Sequence, residues 1–292
     1  MLLYKYDKLL GINKNFFKEN YDYLTKIKNH SIWKFMKNKN YEEKKKRELD
    51  YYKSKEKPIL ISKLLHLPIF YDSRRDLFNY NFLKEQMVQL ITNHLKRKTV
   101  NNLLIAPCGT GIDYKYLSRL ADSIYGIDLS PIAIKKCPSE MITKVGDILK
   151  SGYPEEKFDL IASPLFFHHV VKFGFDMFLK EFYRILKPGG NLIILEPSVF
   201  YPLNVITRPM KKILHNPFEE VEDEGAFRPK LMIDSLRRTN FINLEMRAAS
   251  FSHVSFFIPL AKIINKITRP LLYRWPFKIF AWYVLYWAEK SK

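Results

Sequence analysis

The sequence is poor in cysteine and lacks long apolar runs, and each shortage narrows what the protein can be. Only two of its 292 residues are cysteine, Cys108 and Cys137, and they form neither a CxxC pair nor a His/Cys cluster. This pattern excludes a disulfide-stapled scaffold and indicates no metal site, and a reducing, cytoplasmic environment fits it. The longest apolar run, 279–288, is far short of the roughly 20 residues that cross a bilayer. The N-terminal residues lack an apolar signal core.

Acidic residues are also scarce relative to basic ones. The chain has 49 Lys and Arg against 30 Asp and Glu, a net charge of +19. The excess lies in the flanks, because residues 1–57 carry 16 basic and 8 acidic side chains and residues 248–292 carry 7 and 1, whereas 101–200 is balanced. A basic flank attracts nucleic acid, an anionic membrane or an acidic substrate. A plain solvated, lysine-rich surface is the alternative.

The balanced central segment contains a ligand motif. The apolar residues 103–106 suit a strand buried on both faces of a sheet, and Gly109 and Gly111 follow at once. Glycine lets the backbone turn sharply and lets a ligand approach its N–H groups. Helical spacing predicts a helix over 113–121, whose first N–H groups would face an anionic group. The next predicted strand, 124–128, ends in Asp128, the residue type and spacing that bind ribose hydroxyls in nucleotide folds.

Strands and helices alternate regularly through this segment. We predict strands at 102–106, 124–128, 142–146, 158–162, 191–196, 241–250 and 282–287, and helices near 76–98, 113–121, 131–137, 174–186 and 228–239. This order predicts an α/β fold with a parallel sheet and helices on both faces. Ligands bind beyond the carboxyl ends of such strands. The side chains predicted to gather there are Asp128, Asp147, Ser163 and Glu196, beside the glycine turn.

One more motif follows the fourth predicted strand. It is a predicted helix that leads into Leu186-Lys187-Pro188-Gly189-Gly190 and then into a predicted strand. With these motifs the chain resembles the class I S-adenosylmethionine-dependent methyltransferases, in the small-molecule, type 11-like branch, over roughly 103–197. The resemblance implies a Rossmann-like, seven-stranded, mostly parallel sheet whose last strand is inserted antiparallel. It also implies S-adenosyl-L-methionine as cofactor. We therefore expect a helical N-terminal cap or extension at 1–99 and a methyltransferase domain at 100–292.

The resemblance also implies roles for single residues. The backbone at Gly109 and Gly111 would approach the methionyl part of the cofactor, and Asp128 would bind the ribose hydroxyls. The other expected cofactor contacts are Cys108 and Thr110 at the turn, Leu129 beside the adenine, Asp147 and Ile148 facing the adenine amino group, and Ser163. Tyr51 and Tyr52 are candidates for closing the cap over the cofactor, with plain aromatic packing as the alternative.

The sequence departs from the family at two positions. Ile105 stands where the first strand usually has an acid that holds the amino end of the cofactor, and Pro107 stands where the first glycine usually is. Proline fixes φ near −65° and removes one N–H donor. These changes leave the amino end to be held by backbone carbonyls or by another side chain.

The candidates for methyl-transfer chemistry follow the fourth and fifth strands. His168 and His169 could take a proton from a hydroxyl near neutral pH, or they could simply pack. Glu196 is a candidate for orienting a catalytic group or binding substrate. We expect methylation of an oxygen, or else a nitrogen, on a lipid-linked or saccharide-type metabolite.

Two other function classes stay open at this point. One is an RNA methyltransferase or RNA-binding protein, favoured by the basic flank but not by Ser163-Pro164-Leu165-Phe166, which lacks an Asn-Pro-Pro-Tyr type motif. The other is a non-catalytic membrane-surface protein on a decayed methyltransferase fold. Salt-sensitive binding of nucleic acid would favour the RNA methyltransferase or RNA-binding protein. Cofactor binding would argue against the non-catalytic membrane-surface protein.

A basic, amphipathic insertion near 252–280 separates the last two strands. Its expected apolar face contains Leu260, Ile263, Ile264, Ile267, Leu271 and Leu272, and its expected polar face contains Lys262, Asn265, Lys266 and Arg269. With Tyr273, Trp275 and Phe277 nearby, this composition is typical of a segment that lies at a membrane surface. A lid or a dimer contact is the alternative. The expected partners are therefore a small-molecule or lipid-linked acceptor and an anionic membrane surface.

Overall fold

The computed structural model describes residues 41–47, 49, 73–96, 98–204, 225–253 and 256–292. Tyr51 and Tyr52, the two predicted cap tyrosines, lie outside these residues. Seven strands of the described part form one sheet in the order β3-β2-β1-β4-β5-β7-β6. The strands are β1 (Val100–Ile105), β2 (Ala121–Asp128), β3 (Ile142–Val145), β4 (Phe158–Pro164), β5 (Leu186–Pro197), β6 (Phe241–Ser250) and β7 (Tyr283–Lys290).

The sheet has the predicted mixed topology. Strands β1 to β5 pair in parallel, and β7 inserts antiparallel between β5 and β6. The order reverses at β1, whose neighbours are β2 and β4. In an open sheet of this kind the reversal opens a crevice at the carboxyl ends of the strands. The prediction of a Rossmann-like, mostly parallel seven-stranded fold is confirmed.

Helices cover both faces of the sheet. They are α1 (Ser73–His94), α2 (Tyr114–Leu117), α3 (Pro131–Ile134), α4 (Asp176–Ile185), α5 (Pro229–Arg238) and α6 (Ile258–Thr268). Leu83, Met87, Leu90 and Ile91 of α1 are buried, whereas Leu77 is half exposed. The apolar face of α1 packs in one cluster with β1, and the aromatic face of α4 packs in a second cluster on the other side of the sheet.

The helix predicted over 113–121 is wrong in its extent. Only one α-turn forms, followed by a 3-10 turn at Ser118–Leu120 and then by β2. Strand pairing explains the difference, because Ala121 already pairs with Val100 and the helix cannot continue past it. So short a helix has too few aligned peptide dipoles to act as the expected anion site.

The predicted faces of α6 also need correction. Asn265 is buried, and the Ser250 hydroxyl donates a hydrogen bond to its Oδ1 at 3.1 Å. Ile263 and Ile267, on the predicted apolar face, are exposed. Ala261 and Asn265 are the buried residues of the helix. It therefore presents isoleucines to solvent beside Lys262 and Lys266.

Candidate active site

The glycine turn sits at the crevice beyond β1. Gly109 and Gly111 both have positive φ, +52° and +73°, which only glycine adopts without strain. A Cβ at Gly111 would lie 2.6 Å from Pro138 Cδ, whereas a Cβ at Gly109 would meet nothing within 4 Å. The Cys108 N–H donates to Ile127 O at 2.9 Å and ties the turn to β2. The turn is thus closely packed on one side and open on the other, as a ligand cradle must be.

The Asp128 carboxylate joins this turn to the end of β2. The Gly109 N–H donates to Oδ2 at 2.8 Å and the Ser130 N–H donates to Oδ1 at 2.9 Å. Each carboxylate oxygen can accept more than one hydrogen bond, so both keep acceptor capacity. The two backbone donors fix the carboxylate beside the open side of the turn, where it can accept from two vicinal hydroxyls.

Asp147, after β3, contacts a short helical segment, residues 41–47, which we call the cap segment. The Tyr41 hydroxyl donates to Oδ1 at 3.1 Å, and Lys45 Nζ lies 2.9 Å from Oδ2. Burial, with Asp147 alongside, raises the pKa of Tyr41, so its hydroxyl stays protonated as a donor. A role for Asp147 and Ile148 toward adenine stays a prediction. The contacts of Tyr41 and Lys45 with Asp147 were not expected from the sequence.

Cys108 and Ser163 lie at the floor of the crevice. Burial raises the pKa of the Cys108 thiol, so it remains neutral and is no nucleophile. Ser163 is fully buried at the carboxyl end of β4, and its Oγ has no hydrogen-bond partner among the described residues. An unpartnered buried hydroxyl is costly, and a contact of Ser163 with the cofactor stays a prediction. Thr110 is exposed and Leu129 half-buried.

Glu196 and His168 come together beyond β4 and β5. Glu196 is fully buried and accepts the N–H groups of Phe166, Phe167 and His168, at 2.6, 2.6 and 3.2 Å. Its Oε2 also lies 2.8 Å from His168 Nδ1. The His169 ring lies beside the His168 ring, with 4.1 Å between centroids and the planes tilted by 37°. These contacts favour the orienting role for Glu196 over direct substrate binding.

One further group at this end of the sheet was missed by the sequence reasoning. Lys84 of α1 is fully buried, and its Nζ lies 2.7 Å from Asp113 Oδ1, directly after the glycine turn. The Tyr80 hydroxyl donates to the same oxygen at 3.1 Å. A signal was present, because Lys84 falls at helical spacing with Met87 and Ile91 on the apolar face. A lysine on such a face needs a partner.

Taken together, these residues fit a cofactor with an adenosyl and an amino-acid part. The open side of the glycine turn and the Asp128 acceptors lie together at the carboxyl ends of β1 and β2. Residues 104–194 also match the family model described as a methyltransferase domain. This part of the chain is therefore a methyltransferase domain, similar to those of the class I S-adenosylmethionine-dependent methyltransferases. Its cofactor is accordingly S-adenosyl-L-methionine.

Individual relatives agree with this assignment at the level of the domain. The methyltransferase is 27% identical over 152 residues to an uncharacterized methyltransferase of Geobacillus kaustophilus, a match that covers 51% of this chain and 65% of that one. It is 28% identical over 115 residues to a chloroplastic tocopherol O-methyltransferase of Arabidopsis thaliana, covering 36% and 32%. A solved S-adenosylmethionine-dependent methyltransferase from Thermotoga maritima shares the fold, with TM-score 0.56, 18% identity and coverage of 75% and 94%.

Proposed function

We propose that this methyltransferase transfers a methyl group to an oxygen of a lipid-linked or saccharide-type small metabolite. The observation that supports the proposal is the pairing of His168 with buried Glu196. A carboxylate that accepts three backbone N–H groups is an acceptor at every contact. The hydrogen between it and His168 is therefore on Nδ1, which leaves Nε2 as a free proton acceptor.

A proton acceptor is what an oxygen acceptor requires. When bound, S-adenosylmethionine supplies an electrophilic methyl group on its sulfonium. His168 would take the hydroxyl proton at Nε2 as the acceptor oxygen forms its bond to that methyl group. Glu196 is then a positioning residue that holds the imidazole tautomer and stabilises the imidazolium. The remaining task of the chain is alignment, because reacting atoms must be held about 3–3.5 Å apart.

The proposal that the acceptor is lipid-linked is supported by apolar side chains that are exposed near the C-terminal end of the chain. None of the helices in the described part has the length and apolar character of a bilayer-crossing segment. Instead, apolar and aromatic side chains are exposed along the insertion, and we call them the apolar ridge: Phe257, Ile263, Ile267, Tyr273, Trp275 and Phe277. Exposed basic residues lie among them, namely Lys262, Lys266, Arg269 and Arg274. Exposed apolar groups mixed with cations are typical of interfacial segments.

A cleft of about 570 Å³ lies beside the apolar ridge, between α1 and α6. Its lining combines cations with aromatic rings, namely Phe78, Phe82, Lys262, Lys266, Arg269 and Tyr273. Below it, buried Arg247 donates to the Tyr273 hydroxyl at 2.7 Å and holds that ring in place. The lining suits a phosphate-bearing headgroup with an apolar tail, which supports a lipid-type acceptor or anchor.

The test is labelling of natural acceptors. The purified protein is incubated with methyl-labelled S-adenosylmethionine and either lipid or water-soluble extracts, and products are identified by mass spectrometry. We expect a labelled O-methyl product in the lipid or glycoconjugate fraction. The His168→Ala variant is the matched control, because it should form this product about 10²–10⁴-fold more slowly at neutral pH. A product labelled only on nitrogen, or only on RNA in a parallel arm, would contradict the proposal.

A further inference from the structure

The first strand lacks the acid that would hold the amino end of the cofactor. Ile105, at that position, is fully buried and packs in one apolar cluster with Leu83 and Met87 of α1. No charge can be supplied from the Ile105 side chain. However, the same packing brings Lys84, next to Leu83, to this end of the sheet.

Lys84 arrives there with an incomplete set of partners. Its ammonium has three donors, and among the described residues its one ion pair is with Asp113, whose Oδ1 lies 2.7 Å from Nζ. Within the residues that the structure describes, no well-aligned acceptor completes the hydrogen bonding of Nζ. Both Lys84 and Tyr80 approach Oδ1 of Asp113, which leaves Oδ2 to accept from another group.

The charges around Lys84 also leave room for another anion. Burial lowers the pKa of Lys84, and Asp113 and the more distant Glu196 only oppose this effect. A buried ammonium whose desolvation is not fully compensated gains from an additional carboxylate.

We propose that Lys84 and Asp113 together bind the amino-acid end of S-adenosylmethionine, in place of the missing strand acid. Lys84 donates to the α-carboxylate and Asp113 Oδ2 accepts from the α-ammonium, so that a neutral ion pair receives a neutral zwitterion. Tyr80 holds Asp113 in position by donating to Oδ1. This proposal rests on the proposed methyltransferase function and assigns its specificity for the amino-acid part of the cofactor.

The test compares ligands that differ only at this end, by calorimetry on the full chain. S-adenosylhomocysteine has the complete amino-acid end, and 5′-methylthioadenosine has none. We expect Lys84→Met to weaken S-adenosylhomocysteine binding by about 10- to 100-fold, the loss of a hydrogen bond to a charged group. Binding of methylthioadenosine should change by less than about twofold. Lys187→Met is the matched control, because it breaks another 2.7 Å ion pair, with Asp159, at the opposite end of the strands.

A further ligand separates the two members of the pair. Decarboxylated S-adenosylmethionine keeps the ammonium but lacks the carboxylate, so Lys84→Met should not lower its affinity, while Asp113→Asn should lower it. Asp113→Asn keeps the size of the side chain, and circular dichroism checks that each variant is folded.

The outcomes discriminate clearly. Equal weakening of S-adenosylhomocysteine and methylthioadenosine by Lys84→Met would show a purely structural ion pair and overturn the proposal. Unchanged binding of both ligands would overturn it as well. A wild-type protein that binds neither ligand would overturn this proposal and the methyltransferase function together. Selective binding without transfer to any acceptor would contradict only the acceptor proposal.

Discussion

Asp128 is the residue that joins the glycine turn to the ribose position expected for the cofactor. Replacing it with alanine removes two hydroxyl acceptors and the anchor of the Gly109 N–H. Asp128→Ala should therefore weaken S-adenosylhomocysteine binding by roughly 10- to 150-fold, from about 1.5–3 kcal/mol of lost charged hydrogen bonding. Titration calorimetry measures the change. Asp122→Ala, exposed on the same strand, is the control, and an affinity equal to that of the wild type in both variants would refute the role of Asp128.

His168 and His169 are neighbours with different surroundings. His168 is held by Glu196 at 2.8 Å, so we expect His168→Ala to lower the rate of O-methylation by about 10²–10⁴-fold near neutral pH. The loss should shrink as pH rises, because the acceptor hydroxyl then ionises without a base. His169→Ala should have a much smaller effect. Comparable activity of both variants at neutral pH would assign the pair to packing.

Glu196 acts through the loop it holds and not through substrate. Glu196→Gln keeps the shape of the side chain but places an amide where three backbone N–H groups and the His168 ring need an acceptor. We expect a loss of about 1.5–3 kcal/mol in the free energy of unfolding, measured by urea denaturation. The remaining folded enzyme should show a rate close to that of His168→Ala. Normal stability with normal activity would rule out the positioning role.

At the scale of secondary structure elements, α6 and the segment after it are distinguished by their exposed apolar side chains. The double variant Ile263→Ser, Ile267→Ser removes exposed apolar groups without disturbing the packed Ala261 and Asn265 face. If the apolar ridge inserts into a membrane surface, vesicle affinity should fall by about tenfold or more. Leu231→Ser is the control, since Leu231 is an exposed apolar residue on α5. Equal vesicle binding by all variants would instead indicate a lid or dimer contact.

The charge of the whole molecule leads to a prediction about salt. With a net charge of +19 concentrated in its flanks, the protein should sediment with vesicles containing anionic lipid at low ionic strength. Each Lys or Arg near the surface contributes about 1 kcal/mol, and this attraction is screened at high salt. Neutral vesicles should leave the protein in the supernatant. Failure to sediment with every lipid mixture would remove the main support for a lipid-type acceptor.

Much of the molecule could be predicted from local patterns. The buried strand with Gly109 and Gly111, the acid at the end of β2 and the alternation of strands and helices each depend on residues close in sequence. Helix lengths were less predictable, as α2 shows, because the strand that follows competes for the same residues. Asn265 was expected on the polar face of α6 but is buried, because its hydrogen bond with Ser250 outweighed hydrophobic periodicity.

The resemblance to a known family indicated the cofactor, whereas the sequence by itself determined the fold class and the strand-end positions of Asp128, Ser163 and Glu196. These follow from hydrophobic periodicity and turn chemistry, which act over short distances along the chain. Only the tertiary structure decided which distant groups meet: Lys84 with Asp113, Tyr41 and Lys45 with Asp147, and His168 with Glu196. Such contacts depend on how the helices pack against the sheet. A buried charge needs a partner, but which residue is near enough to pair with it is decided only by that packing.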